Sequence, residues 1–354
     1  MSRLFTPIRL RKLEIRNRIF MAPMCQYSAY DGMPSDWHLI HYGARAAGGV
    51  GLVMMEATAV SPEGRITPYD LGLWTDEQAE ALRPIVSFIK EQGATPAIQI
   101  AHAGRKACSD QPWKGGLPVE QKDGGWQPLA PSALPFSPDS CIPIEMTQVD
   151  IDNVVNQFAE ATKRALKAGF ETLIIHMAHG YLLHEFLSPL TNRRTDSYGG
   201  NFENRSRLPL QVAKIVRELW PDDKPVMVRI SATDWVEGGW DLSGSIELVR
   251  QLKSIGVDMV DVSSGGLVPD AVVPIAPGFQ TSFAATIRRE TGMMVSTVGL
   301  ITNVTQAEHI LVTEQADAVS IGRELLRNPT WPLQAAKNLG DDIHWPPQYQ
   351  RAKL

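Results

Sequence analysis

The feature that most constrains this chain is an alternation. Short apolar runs rich in β-branched residues recur along it, separated by segments of helical period. The runs fall at 18–24, 50–56, 95–101, 172–176, 226–230, 259–262, 293–298 and 318–321. Amphipathic segments lie between them, for example at 150–168, 204–220, 242–255 and 302–314. Fully apolar strands alternating with helices point to a parallel sheet whose two faces are covered. Eight such runs in 354 residues predict an α/β fold of the (β/α)8 TIM-barrel class. A doubly wound open sheet is the rival for the same alternation. It would carry G-x-G-x-x-G after an early strand, whereas Gly49-Val50-Gly51 runs on to Met54 where the third glycine belongs.

The whole of 1–354 reads as one barrel domain with two departures from its rhythm. Residues 105–147, after the third strand, are rich in Gly and Pro, contain Trp113 and Trp126, and show no period. A connection that long is expected to be a functional excursion or lid, with a plain surface insertion as the alternative. The tail 341–354 contains Trp345-Pro346-Pro347 and is expected to be non-helical, either fraying or docking elsewhere. The net charge of −5 has no basic concentration, which argues against nucleic acid or an anionic membrane as partner. The longest apolar runs are far short of the roughly 18 residues of a spanning helix. The first ten residues lack the apolar stretch of a secretory signal. Cys25, Cys108 and Cys141 are too few and scattered for a disulfide framework or a thiolate metal site. A soluble cytoplasmic protein is expected.

Reactive groups of a barrel gather where its strands end. In order, those ends read Ala22-Pro23-Met24-Cys25-Gln26-Tyr27, then Glu56-Ala57-Thr58, then Gln99 with His102, Arg105 and Lys106. Next come His176-Met177-Ala178-His179-Gly180-Tyr181 and Arg229. The set closes on Ser296 to Gly299 and on Ser320-Ile321-Gly322-Arg323. Paired glycosidase carboxylates are missing, and acidic ligands are sparse beside the histidines, so a metal is not expected. Gly299, Gly322 and Arg323 suit the barrel's usual phosphate site, though a turn with a surface arginine explains them equally. Gln99 offers donor and acceptor to a heterocycle's edge, and Arg229 can stabilise negative charge on a reduced ring. Together these point to FMN.

His176 and His179 are either satisfied core histidines or a pair of N–H donors for a carbonyl or nitro oxygen. Tyr181 either fills the barrel mouth or donates a proton. Cys25 is either an inert thiol or a polarisable group against the flavin. Cys108 and Cys141 receive no role. Asp31, Asp36, His38 and His41 are read as helix-cap and surface groups, and Trp235 and Trp240 as packing.

These motifs resemble the old yellow enzymes. The residues that carry the likeness are 21–27, 56–60 with 64–66, 99–106, 176–182 with 186–189, 192–200 and 321–326, in order along nearly the whole chain. Cys25 and the pair His176/His179 point to the bacterial thermophilic-like branch. The resemblance implies FMN-dependent ene-reduction on a (β/α)8 barrel, with NADPH or NADH as reductant. An activated alkene, an α,β-unsaturated carbonyl or nitro compound, would take the hydride at its β-carbon. It implies that Ala22, Pro23, Met24, Cys25, Ala57, Gln99, Arg229, Gly299, Gly322 and Arg323 hold tightly bound FMN. Tyr27 would line the substrate pocket, His176 and His179 would bind the activating oxygen, and Tyr181 would protonate the α-carbon. Arg351 would reach a neighbouring subunit's pocket in a homodimer or homotetramer. Relatives with an iron–sulfur cluster and a second nucleotide domain do not fit the cysteine count or length. A flavin-free barrel acting on a phosphorylated substrate, an idle FMN-binding protein and a dihydroorotate dehydrogenase are the alternatives.

Overall fold

The computed structural model describes residues 1–353. The chain opens with a hairpin, β1 (Ile8–Leu10) and β2 (Leu13–Ile15), and then lays down β3 (Ile19–Met21), α1 (Asp36–Ala47), β4 (Leu52–Ala59), α2 (Asp76–Glu91) and β5 (Thr95–Ala101). An irregular stretch holding the two-residue strands β6 (Leu129–Ala130) and β7 (Ile144–Glu145) follows. After it come α3 (Gln148–Ala168), β8 (Thr172–Met177), α4 (Leu182–Leu187), α5 (Phe202–Leu219), β9 (Val226–Ser231) and α6 (Leu242–Ile255). The last part runs through β10 (Met259–Ser263), α7 (Thr281–Thr291), β11 (Met294–Thr297), α8 (Val304–Val312), β12 (Ala318–Ile321), α9 (Arg323–Arg327) and α10 (Trp331–Leu339).

Strands β3, β4, β5, β8, β9, β10, β11 and β12 pair in that order, all parallel, and β12 returns to β3. Closure leaves no unpaired edge, and this is the (β/α)8 barrel that the alternation predicts. The helices start where the sequence can satisfy their free N–H groups. At α3 the Thr147 hydroxyl accepts from Asp150 N while Asp150 Oδ2 accepts from Thr147 N at 2.8 Å. Gly169, at φ 94°, closes the same helix in the left-handed region.

The lumen of the barrel is layered. Phe20, Met54, Ala97, Ile174, Met227, Met259 and Ala318 form one apolar cluster, sealed from below by Ile8, Leu10 and Ile15 of the hairpin. Side chains two residues further along a strand share its face. That step carries the lumen from apolar to polar: Gln99, His176, Arg229, Asp261, Ser296 and Ser320 make up the next level. On β4 the step would place Glu56 there, but the β4–β5 register shifts between Met55 and Ala57. Ala57 therefore pairs with Gln99, and Glu56 meets His38 and Tyr42 of α1. A bulge that re-aims a side chain beside a site is a recurrent device.

The stretch after β5 is irregular, as its composition predicts, but it is tied down. Gln111 Nε2 donates to Tyr27 O at 2.9 Å, and Trp113 meets the Tyr27 ring edge-on at 5.8 Å. Trp126 Nε1 donates to Glu63 O at 2.8 Å, and the Arg65 guanidinium lies 4.8 Å over the Trp126 ring. The tail differs from expectation. Residues Pro347–Ala352 form a short 3-10 helix, because proline in a first turn forfeits an N–H that has no helical partner anyway.

Candidate active site

The mouth of the barrel is built on its first polar level. Gln99, 2% exposed, has an Nε2 with no acceptor in the protein. His176 and Arg229 are direct neighbours across β8 and β9, as Arg229 and Asp261 are across β9 and β10. His176 is buried, and its Nδ1 has no hydrogen-bond partner. From Arg229 and Ser320 a cavity of about 250 Å³ opens toward Gly299, Gly322 and Arg323 at the rim. An unpaired buried donor calls for an explanation. Gln99, with Arg229 and a glycine-lined cleft at the strand ends, fits a heterocycle that carries carbonyl acceptors and a phosphate. FMN meets that description.

At the mouth, His176, His179 and Tyr181 converge. The His176 ring stands 5.2 Å from the His179 ring and 5.0 Å from the Tyr181 ring, both nearly perpendicular. His179 is held in the left-handed region at φ 62°, uncommon for a non-glycine residue. Both of its backbone groups are anchored: its N–H donates to Ser231 Oγ at 2.9 Å, and its carbonyl accepts from Lys106 Nζ at 2.9 Å. Lys106 also donates to Gly266 O at 2.7 Å, so it ties the His179 turn to the segment after β10. Gly180 must be glycine here, since a Cβ would lie 2.3 Å from Gly266 O.

The protonation states follow from burial. Burial pushes His176 and His179 well below the ordinary histidine range, and the Arg229 charge adds to this. Both rings are neutral at pH 7. Burial pushes Tyr181 well above the ordinary tyrosine range, with Cys25 and Asp70 reinforcing it, so its hydroxyl keeps its proton. Cys25 is partly exposed as a residue while its thiol is enclosed. Burial, then Asp70 and Glu56, hold that thiol far above its usual range, so it is a neutral polarisable group. Asp70 itself is pushed up to about 7 by burial, although Ile66 N and the Thr67 hydroxyl both donate to it at 2.7 Å.

The structure gathers most of the sequence-derived residues. Ala22, Pro23, Met24, Cys25 and Tyr27 follow β3, Ala57 and Gln99 pair across β4 and β5, and Gly299, Gly322 and Arg323 line the cleft. Tyr27, at φ 49°, is braced by Trp113 and Gln111. Arg351 is not part of this mouth. Residues 342–344 share a crevice with Arg16, Asn17 and Gly49, which precede β3 and β4, so the tail starts at the opposite end of the barrel.

Other expectations are corrected. His38 and His41 are not surface groups, being 0% and 3% exposed, although His38 does take part in the cap of α1 as expected. His38 Nδ1 accepts from Ser35 N at 3.0 Å, which leaves the proton on Nε2, 3.3 Å from Glu56 Oε1. Glu56 also accepts from the Tyr42 hydroxyl at 2.9 Å and from Gln26 N at 2.6 Å. Glu56 was placed at a strand end without a role, and the lumen carboxylate at this level, Asp261, was missed. The period-two step from Met259 is the signal that would have found it. Trp240 packs as expected, stacked on Phe202 at 6.0 Å.

Residues 3–342 match the family described as NADH:flavin oxidoreductase / NADH oxidase. The chain belongs to that family. It is 48% identical over 354 residues to an NADPH dehydrogenase of Listeria monocytogenes serotype 4a (strain HCC23), covering 99% of each chain. It superposes on morphinone reductase with a TM-score of 0.81 at 29% identity, covering 98% of this chain and 92% of that one. A 2-naphthoyl-CoA reductase superposes with a TM-score of 0.86 at 24% identity, a likeness of fold. The chain covers 52% of that protein's length. This enzyme is therefore an FMN oxidoreductase of the old yellow enzyme type that uses a reduced nicotinamide nucleotide. Among the described residues no helix is long and apolar enough to cross a membrane.

Proposed function

We propose that this enzyme reduces activated alkenes, with Tyr181 as the proton donor to the α-carbon. One observation carries the reading: His176, His179 and Tyr181 are three neutral donors on facing rings, at the level where Gln99 and Arg229 would meet a flavin. FMN, held by Ala22 to Cys25, Ala57, Gln99, Arg229, Gly299, Gly322 and Arg323, supplies when bound the hydride for the substrate's β-carbon.

The chain's own residues do the rest. His176 and His179 each donate an N–H to the carbonyl or nitro oxygen, where negative charge grows as the alkene is reduced. The His179 tautomer depends on Ser263, whose Oγ lies 2.7 Å from Nε2. The Ser263 hydroxyl also lies 3.3 Å from Gln280 Oε1, so its one proton serves either that oxygen or His179 Nε2, the nearer of the two. When Ser263 donates to Nε2, the His179 proton sits on Nδ1 and is available to substrate. Tyr181 releases its Oη proton to the α-carbon. A phenol held above its ordinary range does so only against the strongly basic carbanion-like centre, and this protects it from idle loss. Cys25 places a neutral sulfur beside the flavin, and Tyr27 lines the substrate side. The stretch 105–147 acts as a lid, since it packs on Tyr27 and walls a cavity of about 170 Å³ with Tyr181, Lys106 and Phe136. The enzyme works as a homo-oligomer, homodimer or homotetramer, in which a neighbour's Arg351 completes the pocket. A tail that begins at the far end of its own barrel supports this reading.

Tyr181→Phe tests the central role. The variant should oxidise NADPH at nearly the wild-type rate and reduce 2-cyclohexenone about a hundredfold more slowly. Equal losses in both half-reactions would refute Tyr181 as proton donor.

A further inference from the structure

The first polar level of the lumen contains a charge that the proposed function leaves unused. Asp261 is 0% exposed, deeper than any residue assigned to the flavin or the substrate. Its Oδ1 accepts from the Ser296 hydroxyl at 2.6 Å and from the Ser320 hydroxyl at 2.7 Å. Its Oδ2 lies 3.2 Å from Arg229 Nε. That last contact is an ion pair whose angle falls short of an aligned hydrogen bond. These groups come from four consecutive strands, β9 to β12, and register pairs Asp261 with Arg229 on one side and Ser296 on the other.

The arrangement is lopsided. Two hydroxyls grip one carboxylate oxygen, while the arginine is held by charge alone through its inner nitrogen. The terminal nitrogens of Arg229 donate to no protein group among the described residues, and the residue lines the cavity that leads to Gly299 and Arg323. A buried pair of this kind is poor evidence for stability, because desolvation of both ions offsets their attraction. It does fix how much positive charge the arginine presents to whatever occupies the cavity.

We propose that Asp261 is a positioning residue that sets the redox potential of the bound flavin, by partly cancelling the charge of Arg229. The inference rests on the reading that this cavity holds FMN. A reduced flavin carries more negative charge than an oxidised one, so it feels Arg229 more strongly. With the Asp261 carboxylate 3.2 Å from Arg229, that preference is muted, and the reduced cofactor remains a ready hydride donor. Ser296 and Ser320 hold the carboxylate in place beside Arg229.

The test is the midpoint potential of the FMN-loaded enzyme, from a spectral titration against a reference dye. Asp261→Asn keeps the shape and removes the charge. It should tighten reduced over oxidised FMN by about tenfold relative to wild type, a rise of about 30 mV for a two-electron couple. Ser296→Ala, measured alongside, keeps the carboxylate but strips one hydroxyl from it, and should move the potential a smaller amount in the opposite direction. A merely structural Asp261 would weaken both flavin forms equally and leave the potential in place. An FMN-loaded Asp261→Asn with unchanged potential, or, where that variant does not fold, an unchanged potential in Ser296→Ala, overturns this inference alone. A wild-type protein that takes up no FMN overturns the cofactor reading beneath it as well.

Discussion

Glu56→Gln is a substitution whose cost can be worked from the surroundings. Glu56 is 1% exposed, and two donors meet its carboxylate, the Tyr42 hydroxyl at 2.9 Å and Gln26 N at 2.6 Å, while His38 Nε2 stands 3.3 Å from Oε1 without an aligned hydrogen bond. The carboxylate accepts on both oxygens, from Tyr42 on Oε1 and from Gln26 on Oε2, whereas an amide has one accepting oxygen. With that oxygen turned to Tyr42 and His38, the new NH2 faces the Gln26 N–H, and a buried backbone donor loses its partner. Such a loss costs about 1–3 kcal/mol. Unfolding entropy near 2.1 cal/mol/K per residue, over 354 residues, makes each kcal/mol worth about 1.3 °C. The melting temperature should fall by about 3 °C. Because Gln26 sits between Cys25 and Tyr27, FMN should also dissociate faster. Thermal unfolding followed by circular dichroism, with flavin fluorescence as a second probe, reads both. A melting temperature within 1 °C of wild type, and unchanged FMN retention, would refute Glu56 as the anchor of this loop.

Two further outcomes are expected. Burial holds His41 down to about 3, so between that value and an ordinary 6.5 the unfolded chain binds a proton that the folded chain does not. Stability should therefore fall on acidification through that window, by up to about 1.4 kcal/mol per pH unit. His41→Asn should show a shallower decline in urea titrations from pH 6.5 to 4; an identical slope would count against the buried neutral imidazole. Arg351→Ala should raise KM for the alkene in the assembled oligomer with little change in melting temperature, and unaltered kinetics would remove Arg351 from the site.

The barrel was legible because its strands are buried on both faces and leave uninterrupted apolar runs. β5 and β12 coincide with their runs. The run 18–24 overshoots β3, since the chain from Ala22 onward leaves the ladder to line the mouth. The face of α1 was misread for a physical reason. Trp37 and Ile40 are 53% and 66% exposed, while His38, His41 and Arg45 point inward, where main-chain carbonyls satisfy Arg45, Ser35 N donates to His38 and Glu56 stands beside it. Hydrophobic periodicity cannot see a polar group that burial has paired. The bulge at Glu56 is equally invisible, because one unpaired residue leaves no compositional mark. The flavin and substrate assignments came from strand-end chemistry sharpened by family resemblance. The Asp261 level needed the register.

The most direct test of the whole account is the anaerobic absorbance spectrum of the purified enzyme, taken before NADPH, after NADPH, and again after 2-cyclohexenone. The account predicts flavin bands that bleach with NADPH and return with the enone. Bands that bleach and stay bleached would contradict alkene reduction, and a colourless protein that takes up no added FMN would contradict the cofactor itself.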